Sequence, residues 1–208
     1  RNMDAELLSR LSDLTDEERT ILSGISTIDR SLYMEGTGDI IKGQKLLKPG
    51  KLMAVRPHTR FIHFPEHTHD YVEMVYVCQG TVRHLINGSE IVLQQGELLV
   101  LGQNTRQEIY PAGENDISVN FIVRPELFGG ILDYLGSEAT PLREFIIGCL
   151  CGENPSGYLL FRVADVKPVQ NLLENLLWTL FSDLPNRRCI NLLTLGLLLL
   201  LLLNYFFF

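Results

Sequence analysis

His67, His69 and Glu73 lie within His67-Thr68-His69-Asp70-Tyr71-Val72-Glu73, and Gly80 follows, giving the spacing H-x-H-x(3)-E-x(6)-G. Two imidazoles and a carboxylate can ligate a divalent metal, accept hydrogen bonds from a polar ligand, or close a buried hydrogen-bond network. A β-strand sends every second side chain to the same face. A single strand through this segment therefore puts His67, His69, Tyr71 and Glu73 on one side of a sheet. Half-buried strands ordinarily carry Val or Ile there, so three converging polar groups require a compensating partner. Tyr71 adds an aromatic wall with a hydroxyl. His63 shares the parity of His67 and is a further candidate for the same face, although Pro65 intervenes. His58 and His84 fall outside the pattern and read as surface or edge residues.

The downstream sequence supplies the rest of a small barrel. Asn87-Gly88 separates two strand-like runs as a two-residue hairpin turn. Leu93-Gln94-Gln95-Gly96-Glu97 then turns into the apolar run Leu98–Leu101. Together these resemble the two signature motifs of the cupins, β-barrels that hold ligands in the barrel mouth. The family's second motif opens Pro-Gly-Asp and ends on a third metal-binding His. Here Gln95 and Glu97 replace the Pro and Asp, Phe61 replaces the opening Gly of the first motif, and Gln107 falls where the His is expected. A neutral amide is a poorer ligand than imidazole for zinc, iron or nickel. The expectation is a barrel without a metal cofactor that binds another kind of ligand. The alternative keeps a metal on His67, His69 and Glu73.

These residues need elements to hold them. Runs at 52–56, 60–64, 71–78, 81–86, 89–93, 97–101, 107–110 and 117–123 predict about eight strands. Upstream, residues 4–23 are amphipathic. Thr15-Asp16-Glu17-Glu18 reads as a capping box, which divides the segment into two short helices. Beyond Pro125 the pattern is helical at 127–135 and 142–150, with Tyr158–Val163 as a returning strand. Val166, Val169, Leu172, Leu173, Leu176, Leu177, Leu180 and Phe181 mark an amphipathic helix capped by Asp165. A Leu-rich helix follows from Asn186 to Leu203. The division expected is a helical arm over 3–35, a barrel over 50–124 and a helical segment over 125–208.

Composition bounds the function. The chain has 208 residues and a net charge of −7, which disfavours phosphate-backbone binding by this chain itself. Its four cysteines, Cys78, Cys149, Cys151 and Cys189, form no disulfide framework, and no secretory signal opens the sequence, so a cytoplasmic protein is expected. The apolar stretch from Ile190 to Phe208 approaches a membrane-spanning length. Asn191, Thr194 and Asn204 interrupt it, and insertion is not the expected reading. The run of three phenylalanines at the end suggests that the natural chain continues.

From Arg56 to Phe128 the sequence resembles the N-terminal half of AraC-type transcriptional regulators. The H-x-H-x(3)-E strand, "YVCQG", the hairpin, the Gly-acid turn and "DISVNFIVRPELF" carry the likeness. The resemblance implies a mainly β cupin-like (double-stranded β-helix, jelly-roll) barrel with appended helices. It also implies a non-enzymatic effector sensor that dimerises through helices and reaches DNA through a C-terminal helix-turn-helix domain absent here. The effector expected is a sugar or related polar metabolite, held by His67, His69, Glu73, Gln107, Tyr71, His63 and Tyr110. The alternative is a small metal-dependent cupin enzyme, an isomerase or dioxygenase.

Overall fold

Runs of alternating apolar residues build two five-stranded sheets in a computed structural model that describes residues 2–153 and 157–205. The strands in chain order are β1 (Ile40–Ile41), β2 (Met53–Pro57), β3 (Phe64–His69), β4 (Val72–Gln79), β5 (Thr81–Ile86), β6 (Ser89–Gln94), β7 (Leu98–Leu101), β8 (Gln107–Ile109), β9 (Ile117–Val123) and β10 (Tyr158–Phe161). One sheet runs β1-β3-β8-β5-β6 and the other β10-β7-β4-β9-β2. Every pairing is antiparallel except β1 with β3. The architecture is mainly β with appended helices, a cupin-like barrel.

Two apolar cores explain why β4 is buried almost throughout. Val75, Val77, Leu99, Leu101 and Ile122 of the second sheet meet Phe64, Val82, Ile86 and Ile109 of the first inside the barrel. On the second sheet's outer face, Met74, Tyr76, Leu98, Val100, Val119 and Phe121 pack under helices. The covering helices are α1 (Ala5–Ser12), α4 (Glu126–Gly129), α5 (Pro141–Cys151), α6 (Lys167–Phe181) and α7 (Arg187–Leu202); α2 (Asp16–Leu22) and α3 (Gly43–Leu46) complete the set. Strands covered on both faces read as continuous apolar runs, as β7 does.

The expected elements and the observed ones differ in instructive places. The strand placed at 60–64 is instead a corner, where Phe61 has φ +72°, and the strand begins at Phe64. Its register against β8 shifts between Phe64 and His67. A bulge there accommodates Pro65, which has no N–H to give to a ladder. β1 is two residues long, too short to show a period. Tyr158–Phe161 does return as a strand, pairing with β7, so the barrel draws on residues outside 50–124. The capping box at Thr15 and Glu18 forms with both bonds present. Asp165 does not cap α6: Val166 holds that position without a side-chain bond, and Pro168 in the first turn has no N–H to satisfy.

Gly80 is required where it stands. Its φ is +75°, and a Cβ there would fall on the Asp116 carboxylate and 2.8 Å from the Asn115 carbonyl. Residues 3–35 are not detached from the barrel. Met3, Leu7 and Leu11 belong to the outer core, and Ile21, Ile28 and Tyr33 to the inner one. Among the described residues no helix is long and apolar enough to cross a membrane. α7 has 16 residues, which at 1.5 Å each is about 24 Å, short of a ~30 Å hydrocarbon layer. The terminal Phe206, Phe207 and Phe208 lie outside the described residues.

Candidate functional site

The His-x-His-x(3)-Glu segment is not one strand. β3 ends at His69, the chain turns through Asp70 and Tyr71, and Glu73 rises from β4 in the opposite sheet. The turn is fixed by the Asp70 carboxylate, which accepts the Gly43 N–H at 2.7 Å. His67 and His69 therefore enter the interior from one wall and Glu73 from the other. They converge because the barrel closes, not because they share parity.

Each imidazole is oriented by its own backbone. His67 Nδ1 donates to the Pro65 carbonyl at 2.8 Å, and His69 Nδ1 to the Tyr71 carbonyl at 2.5 Å. Both rings thus turn an unprotonated Nε2 inward. Tyr71 stacks on His69 with ring centres 4.7 Å apart. Glu73 accepts the Gln107 amide at 2.8 Å, and Gln107 in turn accepts from His84 Nδ1 at 2.9 Å. His58 Nδ1 faces Asn120 Oδ1 at 3.3 Å. The result is a buried chain of polar groups, Glu73–Gln107–His84, with His84 beside His58 at a ring separation of 5.9 Å.

Burial sets the charge of this cluster. Loss of hydration pushes His67 and His69 down to about 4 and His84 to about 3, and it lowers His58 as well. All four are neutral at pH 7. Desolvation raises Glu73, against the lowering effect of the Gln107 hydrogen bond.

A cleft of about 500 Å³, its open mouth included, reaches into this cluster. Glu73, His67, Tyr71, His58 and Asn120 form its polar lining; Ile41, Ile62, Phe64, Ile109 and Ile122 form apolar walls; Tyr33, Arg56 and Thr59 also border it. His69 and Gln107 lie behind it and hold its floor. His63 and Tyr110 are placed elsewhere, which corrects their assignment to the pocket. His63 sits at the surface with Nε2 2.5 Å from Glu108, because the bulge at Pro65 breaks the parity it shared with His67. Tyr110 packs under the Arg83 guanidinium, 4.8 Å from its ring centre.

His58 and His84 were expected at the surface and are buried instead. The polar Asn120 inside the apolar run of β9 is the sequence signal that marks this neighbourhood. Tyr33 and Arg56 carried no such signal.

Glu73 is engaged by Gln107 and stands 3.8 Å from His69 Nε2. Among the described residues no three His, Cys, Asp or Glu side chains are grouped to hold an ion.

A family model described as the AraC-like ligand binding domain matches residues 46–202. The chain belongs to that family. The match spans the strands β2 to β10, most of the cleft lining and the helices α4 to α7. Among solved structures, an apo ToxT variant from Vibrio cholerae is similar at a TM-score of 0.52 and 12% identity, over 72% of this chain and 54% of that one. A second ToxT structure from Vibrio cholerae gives 0.46 and 12%, over 70% and 54%. KdgF from Halomonas sp. gives 0.31 and 18%, over 35% and 70%. At such identities the first likeness speaks for the fold alone, and the chain spans about half the length of the ToxT chains. No curated protein matches the sequence.

Proposed function

We propose that this AraC-like domain is the effector-sensing and dimerising part of a cytoplasmic DNA-binding transcriptional regulator, and that it has no catalytic role. The observation that carries the sensing role is the cleft itself. Neutral imidazoles and a buried carboxylate face a space walled by apolar side chains, an arrangement suited to a small polar metabolite. A ligand acts on a regulator only by favouring one arrangement over another. A hydrogen bond supports a reporting role for segment 3–35: the Tyr33 hydroxyl at the cleft donates to Glu17 of α2 at 2.5 Å. DNA contact belongs to a domain outside this chain. The metal-enzyme alternative has no comparable observation behind it.

A thermal-shift screen of polar metabolites (sugars, sugar acids, amino acids) tests the sensing role. At least one compound is expected to raise the Tm by several degrees, and His67→Ala is expected to abolish that rise. A screen in which no metabolite stabilises the chain, or in which His67→Ala changes nothing, would rule the cleft out as a sensor.

Dimerisation is proposed through the exposed side of α7. Leu193 is 70% and Leu197 50% exposed, and at i, i+4 spacing they share one face, opposite the buried stripe of Leu195, Leu198, Leu199 and Leu202. Sedimentation should show a dimer that Leu193→Glu converts to a folded monomer. A wild-type monomer at high micromolar concentration would remove this part of the proposal.

A further inference from the structure

The cleft has a direction. Its floor offers hydrogen-bond acceptors: Glu73 is a carboxylate, and His67 and His58 turn away their protonated Nδ1 atoms to the Pro65 carbonyl and Asn120. A group bound there must donate. Its rim offers the opposite, the guanidinium of Arg56, a donor with no acceptor role. Arg56 lies over the Tyr33 ring at 5.3 Å, and no carboxylate pairs with it among the described residues. It is the one obligate cation in the lining, in a chain whose net charge is −7.

Strand register fixes the spacing of these two ends. On the inward face of the second sheet, Ala54, Ile122 and Glu73 form one row across β2, β9 and β4. Arg56, Asn120 and Val75 form the next. With strands ~4.8 Å apart and ~6.8 Å per residue pair along a strand, the Cα atoms of Arg56 and Glu73 stand about 12 Å apart. The two side chains reach toward each other across the cleft without meeting, and Asn120 lies between them. A neutral polyol would satisfy the floor and leave the guanidinium unused. A purely apolar acid would satisfy the rim and leave a buried carboxylate and imidazoles without donors, which is costly.

We infer that the effector is a small hydroxy acid: a carboxylate held by Arg56, preferably in the bidentate form that a guanidinium allows, and a hydroxyl donating to Glu73 and His67. Between these ends, the body of the ligand packs on Ile122 and Ile109. This rests on the cleft being the effector site and narrows the chemistry that the site accepts.

The test uses 6-hydroxyhexanoate, trans-4-hydroxycyclohexanecarboxylate and gluconate, each compared with its carboxamide by calorimetric titration of the whole chain. At least one acid is expected to bind, with its carboxamide at least tenfold weaker. Arg56→Gln should weaken the acid at least tenfold and leave the carboxamide unchanged, while Arg56→Lys, which keeps the charge and loses the bidentate fork, should weaken the acid less than Arg56→Gln does. Arg56 is half-buried on the edge strand β2, so these variants are expected to fold; their unliganded Tm verifies it. Equal binding of acid and amide, indifference to Arg56→Gln, or no binding by any of the three acids overturns the inference. If neutral metabolites bind and are lost in His67→Ala but not in Arg56→Gln, the anionic end alone is wrong and the sensor stands. If no metabolite binds the cleft at all, both fall.

Discussion

Acidifying the domain from pH 7.5 to pH 5 is expected to unfold it or bring it close to unfolding. Four of the five histidines, His58, His67, His69 and His84, are buried, and burial holds each of them below its ordinary value near 6.5. The unfolded chain therefore binds more protons than the folded one between pH 6.5 and about 4, so stability falls as pH falls through that window. His67, His69 and His84 each contribute roughly 2 kcal/mol of this loss by pH 5. Together that is comparable with the 5–15 kcal/mol that holds an ordinary domain folded. Glu73 works in the other direction. Its raised value means that the folded state takes up a proton more readily than the unfolded one, so protonation of Glu73 stabilises as pH falls. One carboxylate against several imidazoles reduces the slope and does not reverse it.

Circular dichroism melting curves from pH 8 to 5 measure the effect directly. The Tm should be flat above pH 7 and drop steeply below 6.5. Replacing exposed His63 with Gln should leave the curve in place. His84→Asn, which keeps a donor for the Gln107 carbonyl oxygen, should make it shallower. A Tm at pH 5 equal to that at pH 7.5 would mean that the cluster is open to water, and the charge state assigned to the cleft floor would be wrong with it.

Why the site was only partly legible follows from what sequence patterns encode. Periodicity reports on local geometry, and it located β4, β5, β6, β7 and β9 to within a residue or two, because apolar runs such as β7 and the alternating burial of β5 and β6 tolerate little else. It misassigned the path from Arg60 to Tyr71 because tertiary closure decides that path. Pro65 forces a bulge, Asp70 is pinned by Gly43 from a distant loop, and the chain crosses from one sheet to the other between the second histidine and the glutamate. The motif brought His67, His69 and Glu73 into one neighbourhood through a mechanism different from shared strand parity. Gln107, found as a departure from the cupin pattern, occupies the position of a fourth ligand and joins Glu73 to His84. Tyr33 and Arg56 were invisible because their role arises from where residues 29–47 and the edge strand β2 lie relative to the cleft. Nothing in their local sequence sets them apart. The helices α6 and α7 were plain from their Leu spacing, whereas Asp165 looked like a cap only because composition cannot tell which residue leaves the helical conformation first.

Arg60→Ala is expected to cost about 3–5 kcal/mol, the range for stripping one partner from a buried ion pair, and to lower the Tm by roughly 10 °C. Glu18 and Arg60 are 1% and 3% exposed and meet at 2.6 Å. Desolvation alone would raise Glu18, but hydrogen bonds from Arg60 and from the Thr15 N–H hold it below its ordinary value, so it stays ionised. Arg60 also donates to the carbonyls of Ser12 and Glu114, at 3.1 and 2.8 Å. One guanidinium thus ties the α1–α2 junction, α2 and the loop before β9 to the barrel corner. Removing it leaves a buried carboxylate without its counter-charge and two carbonyls without their donor. Glu18→Leu combined with Arg60→Met should recover much of the loss, since an apolar pair avoids the desolvation that the ions suffer. About 1 kcal/mol should remain missing because Glu18 also closes the capping box at Thr15. Glu18→Leu and Arg60→Met measured singly, together with the double variant, give the coupling energy, and a value near zero would mean that the pair is solvated. The same cycle separates packing from signalling. If the segment 3–35 reports occupancy of the cleft through Tyr33 and Glu17, the apolar double variant should keep ligand affinity and the ligand-induced change in protease protection of that segment. Arg60→Ala, at a temperature where it remains folded, should lose the change in protection first.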